Sequence, residues 1–270
     1  MRGIAVAAAL AVLLGGGAAG AQGGVSAGEV RQAIFPRANA ATRELGLRDE
    51  ENRPLYLASF EWARWPKMAA GIYVALAVAT TERGVGPGVG CDRHRTAVPG
   101  GVVLAVVRRE TVGGRKKLKK LKVVAQDTRP VLLGCADGAA TDSITMEAGA
   151  YPLSDVEQAV AVRRRTTSPA GTTEEIRLYR FGWELRVVLE TEHTLRDRER
   201  EYRVALEPVR KGRAPFEYVK RITARPVPHR ARVASPPASE TQPATQPASR
   251  PARPATTSFR WNGTRYVPAK

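Results

Sequence analysis

The chain is short of the residues that most often carry enzyme chemistry. Of its 270 residues two are cysteine and three are histidine. With only Cys91 and Cys135 available, a disulfide-dense scaffold and a four-thiolate metal site are both excluded. Cys91-Asp-Arg-His94 has the spacing of a pair of metal ligands, but no second Cys or His cluster stands near Cys135, and His193 and His229 complete the histidine inventory. A zinc site needs three or four convergent ligands, so no metal is implied. The haem-attachment signature and the Asp-x-Asp-x-Asp-Gly calcium loop are missing too, and no cofactor is expected. No apolar run reaches the roughly twenty residues that span a bilayer as a helix.

What is present begins with a leader. Met1-Arg2-Gly3 is followed by apolar residues from Ile4 to Leu14, then by small residues ending in Ala19-Gly20-Ala21. A basic start, a short greasy middle and an A-x-A site make a cleavable secretory signal, with cleavage expected after Ala21 and a periplasmic or secreted location. In an oxidising compartment the two cysteines read as one Cys91–Cys135 disulfide. No transmembrane anchor is expected after the leader is removed.

The formal charge is +17, with 43 Lys and Arg against 26 Asp and Glu. The leader holds one arginine and no acid, so its removal leaves +16. Heavy use of Ala, Arg, Gly, Val and Pro points to a bacterial gene of high GC content, which accounts for part of the excess. In an exported protein the anionic partners it favours are envelope polymers, lipid surfaces or other envelope proteins rather than nucleic acid.

Residues 22–52 read as a spacer and helix: Glu29, Val30, Ala33 and Ile34 begin a helical face, Pro36 interrupts it, and good helix formers over 38–45 resume it. From 53 to 225 the character changes to apolar runs rich in Val, Leu, Ile and Tyr, separated by Gly, Pro and Thr. Strands are expected over 55–62, 72–80, 102–109, 118–125, 143–147, 159–165, 175–181, 184–190, 201–207 and 216–223. Around Gly182 the runs form a hairpin in which neither face is purely polar, so both faces should be partly covered. Three strands share an apolar run ending in Thr and then a Gly-containing loop, but their unequal intervals fit ordinary β composition as well as a repeat.

Residues 226–257 are Pro-, Ala- and Thr-rich and cannot bury a core, so a disordered tether is expected there. In 258–270, Asn262-Gly263 stands between aromatic-bearing halves, a strong hairpin signal because both turn positions favour positive φ. A lone hairpin is marginal in water, so Phe259, Trp261 and Tyr266 should dock on the main domain or on a partner. The fold class is mostly β, a β-rich α+β chain forming an antiparallel sandwich- or barrel-like domain after a short N-terminal helix.

Ile144-Thr-Met-Glu-Ala-Gly-Ala-Tyr151-Pro-Leu-Ser-Asp-Val-Glu157, followed by Glu175-Ile-Arg-Leu-Tyr179 and Leu185-Arg-Val-Val-Leu189, resembles a pattern in exported bacterial proteins of unassigned function. That resemblance implies an extracytoplasmic β domain and carries no catalytic residues.

Gly24-Val-Ser26-Ala-Gly28 matches the nucleophile-elbow pattern, but the elbow needs a preceding strand, and here Ser26 reads as a helix N-cap. Arg196-Asp-Arg-Glu-Arg-Glu201 reads as a solvated hairpin end rather than a sugar-cleaving carboxylate pair. The densest charge lies at Arg115, Lys116, Lys117, Lys119, Lys120 and Lys122, a candidate contact for an anionic partner. Its bland alternative is a solvated turn whose lysines discourage edge pairing. The expectation is a non-enzymatic binding or scaffolding module; the alternative is a cell-envelope hydrolase whose active site assembles only in three dimensions.

Overall fold

The computed structural model describes residues 24–65, 67–68, 70–112, 118–209, 215–226 and 255–269, with the side chains of 112 and 118–119 left aside. The leader, and most of the stretch read as a tether, fall outside them. One helix, α1 (Ala27–Ile34), precedes thirteen strands: β1 (Glu44–Arg48), β2 (Pro54–Arg64), β3 (Ile72–Thr80), β4 (Ala97–Val112), β5 (Leu118–Ala136), β6 (Ala139–Pro152), β7 (Gln158–Ser168), β8 (Gly171–Phe181), β9 (Leu185–Arg196), β10 (Arg200–Val209), β11 (Glu217–Pro226), β12 (Ala255–Trp261) and β13 (Tyr266–Pro268). Each pairs with its neighbours in chain order, all antiparallel, as one meander whose ends do not meet, so the sheet is not a closed barrel.

Strand alternation builds the layers. On β3, Val74, Leu76 and Val78 face one core, while Tyr73, Ala75, Ala77 and Ala79 face the other side. The first core also takes Leu104 and Val106 from β4, Val131 and Leu133 from β5, Ile144 from β6, Val160 and Val162 from β7 and Tyr179 from β8, so β2–β5 pack face to face on β6–β8. Ala159 and Ala161 of β7 and Ile176 and Leu178 of β8 point the opposite way, into a second core closed by Tyr218, Phe259 and Tyr266 from β11–β13. Both faces of the β8–β9 hairpin are covered, as its sequence implied. α1 and the residues on either side of it cover the outer face of β3 through Val25, Val30, Phe35 and Leu45.

The crossing between layers happens within one long strand. β5 pairs with β4 as far as Gly134 and then with β6 at Cys135 and Ala136. Gly134 takes φ +70, and a Cβ there would stand 2.6 Å from the Thr96 carbonyl oxygen, so the switch needs glycine. Three polar contacts tie the first two layers: Trp65 Nε1 donates to the Gln158 carbonyl (3.3 Å), Glu61 Oε2 accepts from the Met146 N–H (2.9 Å), and the Tyr179 hydroxyl donates to Asp127 Oδ2 (3.0 Å). Burial, and then Asp127, push the Tyr179 phenol up to about 12.

Two local expectations are corrected. α1 forms with Ser26 as N-cap in a reciprocal capping box with Glu29 and stops before Pro36, but no helix resumes over 38–45. Asn39 Oδ1 instead accepts the N–H groups of Ala41 (3.0 Å) and Thr42 (3.3 Å), Arg43 takes φ +59, and β1 follows. Leu45 is thereby buried against Phe35 and Leu57, and that burial overrides the helix propensity of the alanines. The terminal turn has four residues rather than two, because Trp261 pairs with Tyr266. Asn262 Oδ1 accepts from Thr264 and Arg265 N–H, and Gly263 is the residue with positive φ.

Candidate functional site

The three C-terminal aromatics dock in cis. β12 pairs with β11 from Tyr218↔Phe259 to Ile222↔Ala255, which places Phe259 and Tyr266 in the second core and leaves Trp261 half-buried at its margin. Strand pairing thus reaches into the stretch read as a tether, since β12 begins at Ala255.

Beside Trp261 lies a cleft of about 190 Å³, lined by Leu153, Ser154, Glu157, Arg180, Pro215, Trp261 and Tyr266. The β6–β7 turn presents Glu157: Ser154 Oγ accepts from Val156 N–H (3.3 Å) and Glu157 N–H (3.0 Å), and Leu153 N–H donates to the Glu157 carbonyl (2.9 Å). Arg180, near the end of β8, donates from Nε to Glu157 Oε1 at 2.6 Å. Its guanidinium carbon lies 5.9 Å from the Trp261 ring centroid, within cation–π range. Tyr266 meets Trp261 and Tyr218 edge-on, each at 5.2 Å. The Tyr266 hydroxyl is buried without a hydrogen-bond partner among the described residues, and burial raises its pKa while Arg180 opposes the rise. The cleft therefore combines an indole wall with a charge-balanced Arg–Glu pair, a surface that offers both an apolar face and paired donors and acceptors to a neutral polar ring.

A second polar cluster has an enclosed centre, the His193–Glu174 couple, and a solvent-facing rim at Arg165 and Glu147. Arg165 on β7, Glu174 on β8 and His193 on β9 stand directly opposite one another in register. Glu174 Oε2 accepts from Arg163 Nη1 at 2.7 Å and lies 3.2 Å from His193 Nε2, and Arg165 reaches the other carboxylate oxygen at 3.4 Å. Arg163 also contacts Glu147 (3.1 Å) and the Tyr151 hydroxyl. Burial would raise the Glu174 carboxyl, but His193, Arg163 and Arg165 outweigh it and hold it below its ordinary value. His193 keeps ion-pair distance to Glu174 without hydrogen-bond alignment, and its side chain is 1% exposed. A histidine–carboxylate couple closed off in this way supports the fold rather than presenting a base to a substrate.

Cys91 and Cys135 are disulfide-bonded, with Cα atoms 4.8 Å apart. Nearby, His94 Nε2 lies 3.0 Å from Glu82 Oε2 and its Nδ1 lies 2.9 Å from the Thr96 carbonyl oxygen. Among the described residues no group of three or more His, Cys, Asp and Glu is arranged to hold a metal ion. Of the basic candidates, Arg115, Lys116, Lys117 and the Lys119 side chain lie outside the described residues. Lys120 and Lys122 are exposed on β5, opposite Glu110 and Arg108, and do not meet the Trp261 cleft. At the 196–201 segment, Asp197 closes the β9–β10 turn by accepting from Glu199 and Arg200 N–H and from the Tyr202 hydroxyl.

Sequence reasoning missed Glu157 and Arg180, which meet only through the β7–β8 register and the β6–β7 turn. It also passed over Trp183, fully exposed at the tip of the β8–β9 hairpin. An indole placed directly after Gly182, in a turn where nothing demands an aromatic, was the signal available for it. No family model, no curated protein and no solved structure matches the chain.

Proposed function

We propose that the protein is a non-enzymatic binding module of the bacterial envelope, exported through its leader and acting in the periplasm or at the cell surface. The observation that carries this reading is the open cleft at Trp261, where a half-buried indole stands beside the Arg180–Glu157 pair while the His193–Glu174 couple is sealed. Its volume of about 190 Å³ suits one ring-sized unit, and its internal charge balance favours a neutral polar ligand, such as a sugar ring of an envelope glycan. The lysine-rich β4–β5 connection adds long-range attraction toward an anionic envelope surface, which salt weakens. The disulfide is compatible with an oxidising compartment.

The test is retention of the mature chain on isolated cell-envelope glycan at low and high salt. Trp261→Ala should lower retention at least tenfold at both salt concentrations. Replacing Lys116, Lys117, Lys119 and Lys120 by Gln should lower it at low salt alone. Undiminished retention of Trp261→Ala removes the cleft from the account, and release of soluble fragments by the wild-type protein replaces the binding module with a hydrolase.

A further inference from the structure

A second cleft, of about 230 Å³, opens at the other end of the chain's meander, between the start of β2, the end of β3 and the 83–89 loop. Its charged lining residues are Arg43 and Arg83, and no carboxylate lines it. Neither guanidinium makes an ion pair with a described carboxylate; the nearby Glu82 is engaged by His94 instead. Arg83 stands over Tyr56, its guanidinium carbon 4.8 Å from the ring centroid, a contact that leaves its N–H groups free to meet a ligand. Arg43 holds φ +59, a left-handed conformation in which an arginine costs stability and glycine or asparagine would be easier. Such strain is a reason to look for a function at the side chain that persists there.

The wall facing the two arginines is fixed in place. Val85 is buried in the first core, Gly88 N–H donates to the Thr141 carbonyl at 2.9 Å, and the Cys91–Cys135 bond pins the chain shortly beyond. The remaining lining is largely apolar, with Leu57, Ala58, Val85, Pro87 and Val89 beside Thr42 and Thr80. A preformed cleft lined by two guanidinium groups without ion-pair partners and by an apolar wall suits a ligand with a compact double negative charge on a small apolar body.

We infer that this cleft binds a small organic phosphate monoester. At neutral pH the monoester carries a charge of about −1.5 to −2 on three acceptor oxygens, which matches two guanidinium forks better than a single carboxylate does. The phosphate sits between Arg43 and Arg83, and the organic group lies against Val85 and Pro87. This site is separate from the Trp261 cleft and does not rest on the reading proposed for it.

The experiment is calorimetric titration of the mature full chain at low salt with phenyl phosphate, inorganic phosphate and benzoate as probes. Phenyl phosphate should bind at one site per chain, at least tenfold more tightly than either of the others. The Arg43→Asn, Arg83→Gln double variant should lose that affinity by at least tenfold, while Trp261→Ala should keep it. Both arginines are exposed, and asparagine accepts the left-handed conformation more easily than arginine, so a thermal midpoint at or above that of the wild type certifies that the variant is folded. Absence of saturable binding, equal affinity for phenyl and inorganic phosphate or for benzoate, or affinity that survives in the folded double variant would each overturn the assignment.

Discussion

Glu174 shows how one side chain can be costly to bury and yet hold its surroundings together. Its carboxylate gathers Arg163 and Arg165 from β7 and His193 from β9, so its neutralisation leaves the two arginines with Glu147 as the one remaining carboxylate among these contacts. Arg165 is half-exposed and screened by solvent, so the expected cost of Glu174→Gln is about 2 kcal/mol rather than the larger value of a fully enclosed pair. The sign of the pH dependence follows from the depressed carboxyl. Its stabilisation is present above the unfolded carboxyl's pKa of about 4.3 and is lost as pH falls through the lower folded value. Urea denaturation should therefore show the full gap between wild type and Glu174→Gln at neutral pH and a narrowing gap on acidification. A gap that stays constant across that range would mean the carboxylate's charge is not what it contributes.

Among the elements, the terminal hairpin β12–β13 is the one whose attachment decides the most. It adds two strands beyond β11 and closes the second core with Phe259 and Tyr266, while its tip supplies Trp261 to the cleft. Phe259 is 5% exposed and stands opposite Tyr218, so Phe259→Ala should cost about 3–5 kcal/mol. Hydrogen exchange should show β12 and β13 amides losing protection ahead of β3 and β4, and the Trp261 cleft should lose its ligand in the same variant. The strand core of this element and of most others was legible, because alternation of large apolar residues with polar ones is a local signal. Its turn was misjudged because the Asn262 side chain, docking on Thr264 and Arg265 N–H, competes with the two-residue geometry that Asn-Gly permits. Over 38–45 the alanines advertised a helix that Leu45 outbid by burying itself beneath β2.

At the scale of the whole molecule, the single covalent crosslink joins the two sheet layers close to where β5 passes between them. It spans 44 residues of sequence, and on the chain-entropy account its loss costs about 4 kcal/mol. Reduction should lower the thermal midpoint of unfolding and should also weaken phosphate-ester binding, because the 83–89 loop loses one of its anchors, leaving Val85 and the Gly88–Thr141 bond. A midpoint indifferent to reductant would show that packing alone fixes this junction.

The sequence by itself determined the mostly-β class, the approximate positions of β2 to β11 but not of β1, the cysteine pairing and the helix cap at Ser26, since each rests on residue type, local periodicity or the simple arithmetic of two cysteines. Only the tertiary structure decided that the meander folds over itself into layers instead of closing, because alternation says that a strand has two faces but not what covers each one. It likewise brought Arg180 to Glu157 and set Arg83 and Arg43 on the lining of one cleft, placements that depend on strand register and loop path, and no local pattern encodes either.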